Sequence, residues 1–174
     1  MEFKNVEKIR RREERKRAKE ELGNMQKIRL VKAIVRYTPI NLTRDFVGYS
    51  NKAISPRYLL LQKAKDSFFP QNIGKWEFVG GIIKPGEISR EAIKREMKEE
   101  TGLEYRIIRQ LKTLESDKSV CDVYLIETNS MDVKLSKEHS DYRWFKPEDI
   151  KKQDLVLYAD MILEFFNNPE KYFD

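Results

Sequence analysis

The sequence has few of the residues that form disulfides or thiolate metal sites. Its 174 residues include one cysteine, Cys121, and one histidine, His139. A single cysteine excludes a disulfide within the chain. Because Cys121 lies in the apolar run 120–126, we expect its thiol to be packed in the core.

Long apolar stretches are also absent. No run of 18 apolar residues is available to cross a membrane. The first residues are charged and contain no apolar segment of the kind that begins a secreted protein. We therefore expect a cytoplasmic protein that has no membrane partner.

Charge, in contrast, is abundant. Charged residues make up 37% of the sequence, and the formal net charge is +6. Residues 1–22 contain nine Lys and Arg against six Glu, a net of +3, and they have almost no apolar face. We predict that residues 1–26 form a charged helical extension and that residues 27–174 form one globular domain.

Within this domain, strands and helices alternate along the chain. Apolar and β-branched stretches predict strands at 28–37, 58–63, 76–79, 105–114, 120–128 and 142–145. Apolar residues at helical spacing predict a helix that ends at Gly102 and a last helix over about 155–166. This order predicts an α/β fold in which a mixed sheet has a helix on each face.

The most informative segment is 81–103. It contains a glycine, five residues, a glutamate, seven residues and then the sequence REMKEETGL at 95–103. A helix advances by about 100° per residue, so Glu96, Glu99 and Glu100 fall on one face. Like charges stacked in this way repel each other unless a cation lies among them. The spacing therefore predicts a metal site in preference to a solvated acidic helix.

The same segment matches the Nudix box, the signature of the Nudix hydrolases, at all nine of its specified positions. The chain resembles this family over about residues 27–168. The resemblance implies the Nudix α/β/α sandwich with a mixed central β-sheet. It also implies hydrolysis of a nucleoside diphosphate linked to another group, which releases a nucleotide and a phosphorylated remainder. One departure is Val79, where the family often has proline before the paired glycines.

The residue types of the box favour a hard divalent cation. Carboxylates are clustered there without cysteine, and the histidine is distant in sequence, which favours Mg²⁺ or Mn²⁺ over zinc. Such ions neutralise a pyrophosphate and acidify a bound water for attack on phosphorus. Metal-assisted hydrolysis of a phosphoanhydride bond therefore follows from these residues.

The resemblance to the Nudix family also assigns roles to individual residues of the box. The implied metal ligands are Gly80, through its carbonyl, and the carboxylates of Glu96, Glu99 and Glu100. Glu96 and Glu99 are also candidate catalytic residues, because the general base varies between family members and Glu99 is either a ligand or a proton acceptor. Arg95 is implied to hold the glutamates by ion pairing, and Glu87 to orient this network from its loop.

A second acidic segment follows downstream. The sequence EHSDYRW at 138–144 resembles the family's acidic loop before a strand that carries tryptophan. The resemblance implies that Glu138 is an extra ligand or the general base, with Asp141 as the second candidate. We expect His139 to be an exposed loop residue without a catalytic role.

The sequence is less informative about the substrate. Lys63 ends a predicted strand at a place where relatives often carry a basic residue. It either binds a phosphate of a nucleotide substrate or lies in solvent. Features of narrower subfamilies are not evident, so a nucleoside triphosphate is the default substrate.

The basic extension allows two alternative interpretations. Arg10-Arg11-Arg12 and Arg15-Lys16-Arg17 form a basic stripe that could hold an RNA backbone, which suggests hydrolysis of RNA 5′ ends, either a triphosphate or a cap. Six glutamates are interspersed with the basic residues of this segment, so we favour a solvated or oligomerising helix. A nucleotide-binding module without turnover is a third, less favoured possibility, because the box retains all its acids.

Overall fold

The computed structural model describes residues 27–39, 56–65, 70–156 and 159–172, without the side chains of residues 160, 161, 169 and 170. The predicted extension at 1–26 therefore lies outside the described residues. The strands are β1 (Ile28–Tyr37), β2 (Arg57–Lys63), β3 (Trp76–Glu77), β4 (Arg106–Glu115), β5 (Ser119–Thr128) and β6 (His139–Phe145). The helices are α1 (Ser89–Thr101), α2 (Pro147–Ile150), α3 (Ala159–Asn167) and α4 (Pro169–Tyr172), and a 3₁₀ turn covers Pro70–Asn72. None of the described helices is long and apolar enough to cross a membrane.

The six strands form one mixed sheet. Its order is β3-β2-β1-β5-β4, and β6 pairs with β2. Strands β1 and β5 run parallel in register from Ile28 opposite Ser119 to Tyr37 opposite Thr128. The other pairs of strands are antiparallel. The mixed sheet predicted from the sequence is thus confirmed.

Each face of the sheet is covered by a helix. Side chains alternate between the faces along β1, so Val31 and Ala33 belong to one core cluster and Leu30 and Ile34 to the other. Helix α1 completes the first cluster with Ala92, Ile93 and Met97, and helix α3 completes the second with Ile162, Phe165 and Phe166. The predicted arrangement of a sheet between helices is therefore also confirmed.

A gap in the sheet positions the glycines that precede α1. Strands β1 and β2 pair over only two residues each, and the segment 78–83 enters the space where they separate. Strand β1 donates hydrogen bonds to the carbonyls of Val79 and Gly81, at 2.8 and 2.9 Å. Gly80 bulges between them with φ of 129°, and a Cβ there would lie 2.2 Å from the carbonyl oxygen of Val31. Only glycine can occupy this position.

Three predicted boundaries near the site were wrong. Strand β3 ends at Glu77, two residues before the predicted end at Val79. The last helix begins at Ala159 and not near residue 155, because Leu155 forms an extended bridge with Trp76 of β3. Strand β6 begins at His139, three residues before the predicted start. The predicted end of helix α1 is confirmed, because Gly102 has the left-handed conformation, with φ of 59°.

Candidate active site

Helix α1 directs two of its glutamates at Gly80 and Gly81, which lie in the segment 78–83; we call this segment the glycine segment. The backbone N–H of Gly80 donates a hydrogen bond to Glu100 Oε2 at 2.8 Å. A Cβ on Gly81 would lie 2.6 Å from Glu96 Oε1, so the absence of a side chain allows Glu96 to approach the strand. Both carboxylates are buried, whereas the side chain of Glu99 is 54% exposed.

One guanidinium connects three carboxylates of the box. Arg95 donates from Nε and Nη2 to the two oxygens of Glu87, at 2.9 Å each. Its Nη1 donates to Glu96 Oε1 at 2.6 Å and to Glu99 Oε2 at 3.3 Å. The hydrogen bonds from Arg95 lower the pKa of Glu87 to about 2. We call these four residues the Arg95 cluster.

A second charged group lies deeper, between β1, β3 and β6. Lys32 Nζ donates to Glu77 Oε2 at 2.8 Å, and Lys63 Nζ pairs with Glu77 Oε1 at 2.6 Å. His139 Nε2 lies 3.0 Å from the same Oε1 atom and 3.7 Å from Glu100 Oε1. We call these five residues the Lys32 network. It includes Glu100, which also belongs to the acidic face of helix α1.

The charges of this network stabilise each other. Burial alone would raise the pKa of Glu77, but Lys32, His139 and Lys63 outweigh it and hold that pKa well below its usual range. Burial would likewise lower the pKa of Lys32, and the charges of Glu77 and Glu100 raise it above its ordinary value instead. Because the ionised Glu77 can only accept a hydrogen bond, we assign a proton to His139 Nε2, which donates to Glu77.

Glu100 is the acid in this region with the least compensation. Its pKa is raised to about 8, chiefly by burial. The negative charges of Glu77 and Glu96 add to this shift, whereas Lys32 and the N–H of Gly80 oppose it. A buried carboxyl with too little positive charge around it is suited to bind a cation.

The carboxylates of helix α1 fit a hard divalent cation better than the deeper group does. In the part of the chain that the structure describes, Glu77, Glu100 and His139 bring ligand atoms within 4.8 Å of one another. Both oxygens of Glu77 are, however, already bound by lysines. Glu96, Glu99 and Glu100 are spread more widely but offer carboxylate oxygens only, and such oxygens are the donors that Mg²⁺ and Mn²⁺ prefer.

The remaining predicted residues lie around these two groups. Lys63 is only 17% exposed and is paired with Glu77, so the expectation of a solvated lysine does not hold. Glu138 is 74% exposed, and its Oε2 lies 4.0 Å from Lys63 Nζ. Asp141 lies farther along β6 and binds Arg143. His139 is fully buried in β6, so the expected exposure of this residue was wrong.

Sequence reasoning missed Lys32 and Glu77 as parts of the site. Lys32 lies between two apolar residues of a central strand, and Glu77 lies between Trp76 and Phe78. In a strand the immediate neighbours point to the opposite face, so a charge between apolar residues normally indicates a solvent-facing position. The same-face neighbours of Lys32, Leu30 and Ile34, are both apolar and could have indicated a buried charge, whereas those of Glu77 give no such sign.

The chain resembles known proteins in sequence as well as in fold. The NUDIX domain model matches residues 49–165. The nucleoside triphosphatase NudI of Escherichia coli O81 (strain ED1a) is 36% identical over 114 residues, which cover 56% of this chain and 79% of that protein. NudI of Escherichia coli (strain K12 / DH10B) is 35% identical over the same length.

Solved structures share the fold. A MutT protein from Methanosarcina mazei Go1 has a TM-score of 0.58 and 28% identity, over 85% of this chain and 99% of that one. An Ap4A hydrolase from C. elegans has a TM-score of 0.59 at 24% identity, over 81% and 95% of the two chains. With the domain match, the relatives and the complete box all in agreement, the chain belongs to the NUDIX domain family, the Nudix hydrolases.

Proposed function

We propose that this Nudix hydrolase cleaves a phosphoanhydride bond of nucleoside triphosphates, with Mg²⁺ or Mn²⁺ as cofactor. Addition of water across that bond would release a nucleoside monophosphate and pyrophosphate. The relatives named nucleoside triphosphatases support this choice of substrate. The observation that carries the proposal is the placement of Glu96 and Glu100 against Gly80 and Gly81.

The residues that would hold the cation are Glu96, Glu99 and Glu100. A divalent ion supplies neutralisation of the substrate phosphates and a water of lowered pKa. Arg95 keeps Glu96 and Glu99 oriented, and Glu87 fixes the plane of its guanidinium through two hydrogen bonds. Orientation of this kind keeps carboxylates in place before the substrate binds.

Two exposed acids are the candidates for the proton acceptor. Glu99 and Glu138 are both more than half exposed, so each can reach a water at the surface of the site. Glu96, the other candidate catalytic residue, is turned toward Gly81 and is better placed as a ligand. Lys63 lies between Glu77 and Glu138, where its ammonium can attract a substrate phosphate.

The test is hydrolysis of the common NTPs and dNTPs with Mg²⁺, with Mn²⁺ and with EDTA. We expect metal-dependent release of pyrophosphate, measured separately from orthophosphate. Glu99→Gln serves as the inactive variant, and Glu91→Gln, an exposed glutamate of the same helix, serves as the matched control. Absence of turnover of every nucleotide by folded wild-type protein would exclude this substrate class.

Glu138→Gln separates the two candidate proton acceptors. We expect a strong loss of kcat with unchanged folding, because the side chain is exposed and contributes little to the core. The pH profile should lose its acidic limb if Glu138 accepts the proton. Unchanged turnover would remove Glu138 from the mechanism and leave Glu99.

The alternative substrate is a 5′-triphosphorylated or capped RNA, which contains the same kind of phosphoanhydride bond. The basic stripe at 10–17 favours it and lies outside the described residues. Deletion of residues 1–22 should then weaken RNA binding in a salt-dependent way and leave NTP hydrolysis intact. Either substrate is available in the cytoplasm, where we propose that the protein acts.

A further inference from the structure

The ammonium of Lys32 has all its hydrogen-bonding capacity used inside the protein. Lys32 lies in the middle of β1 and is 4% exposed. Its Nζ donates to Glu77 Oε2 at 2.8 Å, to the carbonyl of Phe78 at 3.0 Å and to the carbonyl of Gly80 at 2.6 Å. An ammonium has three N–H donors, and here each has one acceptor.

This arrangement places a fixed positive charge on the segment that precedes helix α1. Two of the three acceptors are carbonyls of that segment, and the shortest contact is to Gly80. The N–H of the same residue donates to Glu100. The peptide groups of Gly80 therefore join the buried ammonium to the acidic face of the helix.

The position of Lys32 matters for the predicted ligand set. The Gly80 carbonyl was expected to bind the metal, and it is the oxygen that Lys32 contacts most closely. A divalent ion on that oxygen would lie close to a buried positive charge, and the two cations would repel each other. The carboxylates of Glu96 and Glu99 are instead held by Arg95.

We propose that Lys32 is a built-in cation of this site, whose ammonium takes the place of a metal ion at the Gly80 carbonyl. The divalent cation is then held by glutamate oxygens without a glycine carbonyl. Lys32 is a positioning residue in this arrangement, because it acts through Gly80 and Glu77 and does not touch the substrate. The proposal rests on the proposed metal-dependent function.

The first experiment examines Mn²⁺ bound to wild-type protein in which glycine carries ¹³C at its carbonyl. Electron–nuclear double resonance detects ¹³C coupled to Mn²⁺, and a directly bound carbonyl gives a much larger coupling than a distant one. We expect no coupling of the size of a bound carbonyl, with Mn²⁺ alone and with a non-hydrolysable nucleoside triphosphate. A coupling of that size in the wild type would overturn the proposal.

The second experiment removes the ammonium. In Lys32→Met we expect one additional Mn²⁺ per chain, counted by electron paramagnetic resonance, and the appearance of the ¹³C coupling. Lys27→Met is the matched control, because Lys27, just before β1, forms an exposed pair with Glu115. An unchanged Mn²⁺ count in folded Lys32→Met would show that Lys32 only ties strands together, and would overturn the proposal. If this variant does not fold, the wild-type spectrum alone decides.

Failure of this proposal can be distinguished from failure of the proposed function. Wild-type protein that binds no Mn²⁺, even with the nucleotide analogue present, contradicts both. Wild-type protein that binds Mn²⁺ through a glycine carbonyl, and hydrolyses NTPs, contradicts only the role of Lys32.

Discussion

The Arg95 cluster and the Lys32 network both hold carboxylates beside helix α1, but they balance charge in different ways. In the Arg95 cluster one guanidinium serves three glutamates, and Glu99 remains largely exposed. In the Lys32 network two ammonium groups bind Glu77, the charge of Lys32 also acts on Glu100, and His139 Nε2 donates to Glu77. The Arg95 cluster is thus short of positive charge, whereas the Lys32 network contains nearly enough.

Solvent access explains the difference. Water and ions reach the Arg95 cluster and can supply the missing charge, so excess negative charge is tolerable there. Lys32 and Glu77 are both almost fully buried, so the chain itself supplies their partners. The Arg95 cluster is therefore suited to bind a cation, and the Lys32 network is suited to hold the glycine segment in place.

The largest expected effect is a loss of stability when a charge of the Lys32 network is removed. Glu77→Leu leaves Lys32 buried without its charged partner, and we expect a loss of about 3–5 kcal/mol in the free energy of unfolding. Urea denaturation measures this change. Lys63, at the edge of the network, can turn toward solvent and should contribute little to the loss.

The double variant Lys32→Met/Glu77→Leu sharpens this result. Because it removes both charges, we expect it to be clearly more stable than Glu77→Leu alone. Glu115→Gln, which removes an exposed partner of Lys27, should leave the midpoint of unfolding unchanged. Equal losses in the single and double variants would mean that Lys32 and Glu77 do not stabilise each other.

The next largest effect is on catalysis and concerns the Arg95 cluster. Glu99→Gln removes one charge from an exposed position, so we expect unchanged folding and a fall in kcat of about a hundredfold or more, as for other preorganised electrostatic groups. Circular dichroism and steady-state kinetics check the two parts. A stable variant with wild-type kcat would remove Glu99 from the mechanism, both as a ligand and as the proton acceptor.

The two groups also differ in how far the sequence could predict them. The acidic face of helix α1 depends on local periodicity, so Glu96, Glu99 and Glu100 could be placed together from spacing alone. The pairing of Lys32 with Glu77 joins positions 45 residues apart and depends on how the glycine segment enters the sheet. No local pattern contains that information. The burial of His139 was missed for the same reason, because its partner is Glu77.

A smaller effect is expected from Arg95→Lys. Lysine keeps the charge but cannot make the paired bonds to Glu87 while it also reaches Glu96 and Glu99. We expect a loss of about 10–100-fold in Mn²⁺ affinity or in kcat. Arg90→Lys, an exposed change on the same helix, is the control, and equal Mn²⁺ affinities of the two variants would contradict an orienting role for Arg95.

The smallest effect, counted per pH unit, concerns Glu100, the residue that the two regions share. Its folded-state pKa of about 8 lies above the ordinary value of 4.5, so the folded protein retains a proton that the unfolded chain releases. Stability without metal should therefore fall as the pH rises from about 5 to about 8, by at most about 1.4 kcal/mol per pH unit. Glu77 does not disturb this window, because its lowered pKa acts only at more acidic pH.

Unfolding measured across this pH range in EDTA would reveal the contribution of Glu100. We expect Glu100→Gln to remove the slope, because the amide has no proton to lose and can still accept the N–H of Gly80. Mg²⁺ should raise the stability of the wild type near pH 8 and leave the variant unaffected, because binding to the carboxylate compensates its buried charge. Parallel pH curves for the two proteins would mean that this carboxyl is already neutralised by Lys32, and that the inner network needs no cation from outside.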